Sequence, residues 1–299
     1  KATEHIEHQI QLIKKIEAAG YTYKTSNGIY FDIQKYEKLE DDYGRLSPLD
    51  QIEPGARVEK NPEKKDPRDF ALWKFSPDNQ KRDMEWDSPW GKGFPGWHIE
   101  CSAMSMQYLG ERFDIHVGGE DLKSTHHPNE IAQSQSATGK SPFVKYWIHG
   151  AFLMIDGGKM SKSLGNQYTL HDLQSKSFDP LDLRYLYLTG HYRKQLNFTW
   201  EALKNAQQSR LKLKALIPQQ VKEEKTAKAE KFLMDFKESL SNDLNLPQAL
   251  SVFWQAIKSD KLSEAEKKWL SRQVDQVLGL DLLEKINIPQ KVEKLVQKR

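Results

Sequence analysis

The hydrophobic pattern changes period partway along the chain, and this change constrains the fold more than any other feature. Up to about Ile155 the apolar residues fall in short, strand-length runs broken by Gly and Pro. After about Leu181 they recur at helical spacing nearly to the end. The chain therefore reads as an α/β part followed by an all-helical part. Its 299 residues allow roughly two domains at the usual ~150 residues each, and a core large enough to fold without covalent staples.

Local signals refine this reading. Ile6, Ile10, Ile13 and Ile16 mark a first helix, with Thr3 as the expected N-cap and Gly20 at its C-terminal end. Residues 21–23 and 29–33 are β-rich runs around Asn27-Gly28, so a hairpin with a tight primed turn at that dipeptide is expected. Between Gly44 and Pro95, prolines 48, 54, 62, 67, 77, 89 and 95 exclude long regular elements, and the segment reads as an insertion or connector. Strands are expected at 113–117, 144–149 and 152–155, a turn at Gly118-Gly119, and a helix over about 128–137. The apolar stretch 181–188 leads into helical runs at 199–216, 225–240, 247–259 and 263–278.

Composition excludes several classes. Eight Trp, 11 Tyr and 12 Phe are too many aromatics for a disordered chain, although the mean hydropathy is −0.76. No run approaches the ~20 apolar residues that span a bilayer. The single cysteine, Cys101, rules out an intrachain disulfide and fits a reducing compartment such as the cytoplasm. A net charge of +3 neither demands nor excludes a nucleic-acid partner. The chain begins Lys1-Ala2-Thr3, without an initiator Met or a signal-like segment, so a fragment of a larger protein is expected.

Two residue patterns carry chemistry. Cys101 precedes the string Thr125-His126-His127-Pro128-Asn129-Glu130, in which His126 and Glu130 share a face if these residues open a helix. Pro128 is acceptable only in a first turn. Thiolate, imidazole and carboxylate form a donor set that prefers zinc over magnesium or calcium. Taken alone, the same residues also suit a small core cysteine and a solvated His/Glu helix face. The second pattern spans 156–166, DGGKMSKSLGN, whose two lysines, two serines and flanking glycines make a cationic segment able to close over a polyphosphate. An exposed basic turn is the alternative for an arbitrary string of this composition, but KMSKS is far more specific.

KMSKS is the signature of class I aminoacyl-tRNA synthetases. The stretches DPRDFALWKF (66–75), WDSPWGKGFPGWHIECSAMSMQYLG (86–110), FDIHVGGEDL (113–122), HHPNEIAQS (126–134) and KMSKSLGN (159–166) together resemble the cysteinyl-tRNA synthetases of that class. The resemblance runs from Lys1 to about Trp200 and more loosely beyond. It implies an active-site Zn2+ held by two cysteines, a histidine and a glutamate. Cys101, His126 and Glu130 match three of these positions. The fourth ligand and the HIGH-type ATP motif, which lie nearer the N-terminus in the family, have no counterpart in this chain. The resemblance further implies Trp97 and His116 in the cysteine pocket with Asp121 beside it, and Lys159 and Lys162 as catalytic residues on the phosphates of ATP, Lys162 as the ATP-binding one.

The fold so implied is α/β, the second half of a class I Rossmann-type catalytic domain, with an α+β insertion and a C-terminal α-helical bundle. The expected parts are a connective insertion domain at 1–94, the half Rossmann domain at 95–155, a stem-contact segment with the lysine loop at 156–199, and the start of an anticodon-binding bundle at 200–299. The implied activity is that of a cysteine-tRNA ligase. L-cysteine, ATP with Mg2+ and tRNA(Cys) are its partners, and a cytoplasmic monomer without membrane contact is expected. The fragment alone is expected to be inactive. Two departures bear on pocket shape: relatives commonly carry three glycines where this chain has Val117-Gly118-Gly119, and Phe-Pro-His-His-Glu-Asn-Glu where it has residues 124–130. Two alternatives stay open, a related ligase joining cysteine to an amino sugar and a non-catalytic tRNA- or zinc-binding remnant.

Overall fold

The computed structural model describes residues 1–38, 43–47, 61–77 and 82–283, apart from the side chain of Lys162. Pro48 and Pro54 of the proline-rich stretch, and the end of the expected helical bundle, lie outside the described residues. The chain divides into two compact units, Lys1–Gly150 and Ala151–Arg299.

In the first unit, helix α1 (Ile6–Ala18) buries Ile10, Leu12, Ile13 and Ile16 on one stripe, as the isoleucine spacing requires. Its N-cap is His5 rather than Thr3, which lies inside a preceding 3-10 turn at Ala2–Glu4. Gly20 follows the C-cap Ala19 with φ +81°, a left-handed conformation suited to glycine. Strands β1 (Thr22–Thr25) and β2 (Gly28–Phe31) form the expected hairpin, but the pairing of Thr25 with Gly28 makes Ser26-Asn27 the turn. Neither turn residue has positive φ. Gly28 is needed for a different reason: a Cβ there would collide with the Trp73 carbonyl on the neighbouring strand. Ile33, read as strand, instead begins the short helix α2 (Ile33–Glu37), capped by the Asp32 carboxylate accepting from Lys35 N–H at 3.0 Å.

The proline-rich stretch holds two strands that its composition concealed, β3 (Ala71–Phe75) and β4 (Gly93–Pro95). They complete an antiparallel sheet in the order β1-β2-β3-β4, with Leu72 and Trp73 fully buried. Helix α3 (Trp97–Leu109) follows, then strand β5 (Phe113–Gly119), helix α4 (His126–Thr138) and strand β6 (Val144–Gly150). Gly118 and Gly119, read as a turn, belong to β5 and pair in parallel with His149 and Gly150. The β5-α4-β6 segment is thus a βαβ unit, and α1, α3 and α4 pack together around Ile13, Ile16, Ile99 and Ala132.

In the second unit, β7 (Leu153–Ile155) pairs antiparallel with β8 (Gly158–Lys159) and parallel with β9 (Leu196–Phe198). Helices α5 (Leu170–Ser175) and α6 (Pro180–Leu188) lie between β8 and β9 in sequence. The expected helical runs appear as α7 (Trp200–Leu216), α8 (Ala227–Ser241), α9 (Leu246–Lys258) and α10 (Glu264–Leu278). They bury Leu203, Leu213, Phe236, Phe253 and Val274 in one core. Asp182 is fully buried there and meets Arg210 Nε at 2.8 Å and Gln207 Nε2 at 3.0 Å, so its charge is paired. Among the described residues, no helix is long and apolar enough to cross a membrane.

The tight approach of β3 to β2 gives a test. Gly28→Ala is expected to lower the stability of the first unit by about 1–3 kcal/mol through overpacking against backbone. Urea unfolding followed by tryptophan fluorescence measures it, and an unchanged midpoint would show that the two strands separate at no cost.

Candidate metal centre

Three elements of the first unit bring the candidate residues together. Helix α3 is preceded by its N-cap Gly96, where a Cβ would collide with the Ala71 carbonyl, so glycine lets the helix press against β3. Trp97 and Cys101 are one turn apart on α3. Helix α4 starts at His126, so Pro128 sits in the first turn, where its missing amide proton costs nothing. That start places His126 at i and His127 at i+1 relative to Glu130 at i+4, so His126 meets the carboxylate directly and His127 comes within 4.8 Å of it from the same helix. Strand β5 supplies His116 from the opposite side.

Glu130 is fully buried. Its Oε1 lies 2.9 Å from His126 Nε2 and its Oε2 lies 3.0 Å from His116 Nε2. Each oxygen thus has an imidazole nitrogen beside it and no access to water, and a buried carboxylate on which two imidazoles converge is a donor set that a shared cation fits. Burial raises the pKa of this carboxyl, but His116 and His126 more than offset it and hold it down to about 2. Cys101 behaves in the opposite way: burial, then the Glu130 and Glu100 charges, push its thiol up to about 12. A thiolate at this position therefore needs a cation beside it.

The surrounding imidazoles orient the centre. His98, whose pKa burial and then His126 push down to about 3, places its Nδ1 2.9 Å from His126 Nδ1. The tautomer in which His126 Nδ1–H donates to His98 leaves His126 Nε2 as a bare lone pair beside Glu130. His127, also pushed down to about 3 by burial, places its Nδ1 2.8 Å from His149 Nε2. Trp97 lies over His126 with ring centroids 4.5 Å apart and is half exposed.

Two sets of donor atoms each lie within 4.8 Å of one another: Cys101, His126 and Glu130, and His116, His127 and Glu130. Both fit a cation, and both depend on Glu130. The first contains sulfur and suits a borderline-soft metal. Asp121 joins neither set. It is exposed in a 3-10 turn at Glu120–Leu122, its carboxylate folded back towards Gly119. Lys159 is exposed on β8 in the second unit. Val117 points away from α4 and is 64% exposed, because neighbours on a strand face opposite sides. Gly118 faces His127: a Cβ there would stand 2.6 Å from His127 Cε1.

His127 and His98 are part of the centre but were not among the sequence-based candidates. The i,i+3 spacing of His127 to Glu130 was available in the sequence. The contact of His98 with His126 crosses from α3 to α4 and has no local signal.

A βαβ unit on a chain that also carries KMSKS fits the catalytic domain of a class I aminoacyl-tRNA synthetase. Residues 1–208 match the family described as tRNA synthetases class I (C) catalytic domain, and the chain belongs to that family. It is 46% identical over its full length to "Cysteine--tRNA ligase 1" of Burkholderia lata and spans 63% of that protein. It is 42% identical over 95% of its length to "Cysteine--tRNA ligase" of Treponema denticola, spanning 62% of that relative. Among solved structures, a Mycobacterium tuberculosis methionyl-tRNA synthetase in complex with methionyl-adenylate matches with a TM-score of 0.57 at 14% identity. That match covers 94% of this chain and 70% of the other, and it supports the fold alone.

Substitutions separate the two donor sets. Glu130→Gln, which removes the charge common to both, should weaken metal binding by at least the roughly 10–100-fold that loss of even an outer partner costs. Cys101→Ser should reproduce that loss and His127→Ala should not. Equilibrium dialysis with metal quantification reads each variant, and the reverse order would move the site to His116, His127 and Glu130.

Proposed function

We propose that this chain serves ATP-dependent activation of L-cysteine and its transfer to tRNA(Cys), the reaction of a cysteine-tRNA ligase. The observation that carries this reading is the Cys101–His126–Glu130 set, in which a half-buried thiol and a buried imidazole and carboxylate place their donor atoms within 4.8 Å of one another. Relatives named cysteine-tRNA ligases, matched along most or all of this chain, support it.

Cys101, His126 and Glu130 would hold Zn2+. When bound, the ion supplies a thiophilic Lewis acid that favours the thiolate of cysteine over the hydroxyl of serine. Trp97, whose ring centroid stands 4.5 Å from that of His126, would border the cysteine pocket, and His116, whose Nε2 lies 3.0 Å from Glu130 Oε2, would line it. Asp121 would stand at the rim. Lys159 and Lys162 neutralise charge on the phosphates of ATP with its Mg2+ as the cysteine carboxylate oxygen attacks the α-phosphorus. The new O–P bond yields cysteinyl adenylate and pyrophosphate leaves. A ribose hydroxyl of tRNA(Cys) then attacks the carbonyl carbon and AMP leaves.

Residues 1–94 would act as a connective insertion, 95–155 as the half Rossmann domain, 156–199 as the stem-contact segment and 200–299 as the start of an anticodon-binding bundle. The working enzyme would be a cytoplasmic monomer.

Cysteine-dependent ATP–pyrophosphate exchange by this chain, extended to the length of its relatives, tests the proposal. Exchange with cysteine should exceed that with serine by more than the ~200-fold limit of a simple steric pocket. Equal exchange with both amino acids would contradict it. Lys162→Ala should lower kcat for adenylate formation while leaving the KM for cysteine nearly unchanged. Equal losses in both would remove its transition-state role.

A further inference from the structure

The lysine loop of the second unit is tied by two asparagine side chains. It leaves β7 through a two-residue turn at Asp156-Gly157, with φ of +49° and +78°, the geometry that an Asp-Gly hairpin supplies. Asn197 on β9 holds that turn, its Oδ1 accepting from Gly157 N–H at 2.8 Å. The loop then crosses Lys159 to Ser161 and makes a 3-10 turn at Lys162–Leu164, where Leu164 N–H donates to the Ser161 carbonyl at 3.2 Å. At Gly165 φ is +65°, and a Cβ there would meet nothing within 4 Å, so glycine is required by backbone conformation alone.

This reversal delivers Asn166 to the first limb of the loop. Asn166 Oδ1 accepts from Ser161 N–H at 2.8 Å, and Asn166 Nδ2 donates to the Lys159 carbonyl at 3.0 Å. One side-chain amide thus closes a ring of eight residues, 159–166, with an acceptor and a donor used together. Aspartate can only accept, serine is too short for both, and alanine makes neither bond. Met160, between the two tied residues, lines an apolar cavity of about 200 Å3 with Leu153, Tyr168, Tyr187 and Phe198.

We propose that Asn166 is the positioning residue of the lysine loop, fixing the backbone of Lys159 to Ser161 before ATP arrives. This rests on reading the loop as the phosphate clamp of the adenylation reaction. A segment bounded by Gly157, Gly158 and Gly165 has many conformations to lose, and an internal tie removes that loss from the catalytic step. The tie acts on the rate of the step and not on the cysteine pocket, whose residues lie on α3, α4 and β5.

The test uses Asn166→Ala and Asn166→Asp in the chain extended to the length of its relatives. Asn166→Ala should lower kcat of cysteine-dependent pyrophosphate exchange roughly 10- to 100-fold, the scale of an ångström-level misplacement. The KM for cysteine, the bound zinc and the melting temperature should stay unchanged. Asn166→Asp, which keeps the acceptor and loses the donor, should fall between. In the same proteins, amide hydrogen exchange at Ser161 should quicken in the order wild type, Asp, Ala. An unchanged kcat overturns the proposal, as does a loss shared equally by kcat, the KM for cysteine and zinc content. If the unsubstituted protein exchanges pyrophosphate with no amino acid, the functional reading fails separately. Ser161 exchange then decides the tie, and equal rates in all three proteins overturn it.

Discussion

A carboxylate with no access to water sets the terms for the first unit. Burying an isolated charge is costly enough that such a group is ordinarily paired or metal-bound. Glu130 has His126 and His116 within 3.0 Å of its two oxygens. The imidazoles already favour the ionised form, and a cation drawn to the same oxygens would be met by a carboxylate held ready to ligate it. The local architecture serves this arrangement. Helix α4 must begin at His126 for the side chains to share a face, Pro128 suits that beginning, and Gly118 on β5 leaves room for the His127 ring. Helix α3 brings Cys101 from one side and β5 brings His116 from the other.

The second unit follows a different logic. Its core is apolar, and its fully buried acid, Asp182, is matched by Arg210 and Gln207 and so serves structure. The lysine loop lies outside that core, its shape held by the hydrogen bonds of Asn166 and Asn197 and by two left-handed turns. Packing around a buried carboxylate and local side-chain ties in an exposed loop are two ways in which a chain restricts the conformations of a segment.

Much of this was legible in the sequence where the signal is local. Helical stripes located α7 to α10 to within two residues at either end, because each stripe faces an apolar core. The spacing of His126 to Glu130, with Pro128 between, gave the shared face on condition that a helix opens there, and the helix expected over about 128–137 begins two residues earlier, at His126. The signal failed where long-range contact decides the outcome. Strand β3 is short and flanked by prolines, and its place between β2 and β4 depends on partners far away in sequence. Gly28 read as a turn residue, whereas the close approach of Trp73 is what demands it. Gly118-Gly119 also read as a turn, because nothing local reveals that a parallel partner, β6, extends the strand through them. His98 faces His126 only because α3 and α4 pack together.

X-ray absorption at the zinc K edge tests the central claim most directly, since it reports the donor atoms themselves. With zinc bound to this chain, the account predicts one sulfur neighbour, from Cys101, at about 2.3 Å together with nitrogen and oxygen neighbours at about 2.0–2.2 Å. Adding L-cysteine should raise the sulfur count to two, and adding L-serine should leave it at one. A spectrum with nitrogen and oxygen neighbours alone, or one unaltered by cysteine, would contradict the account.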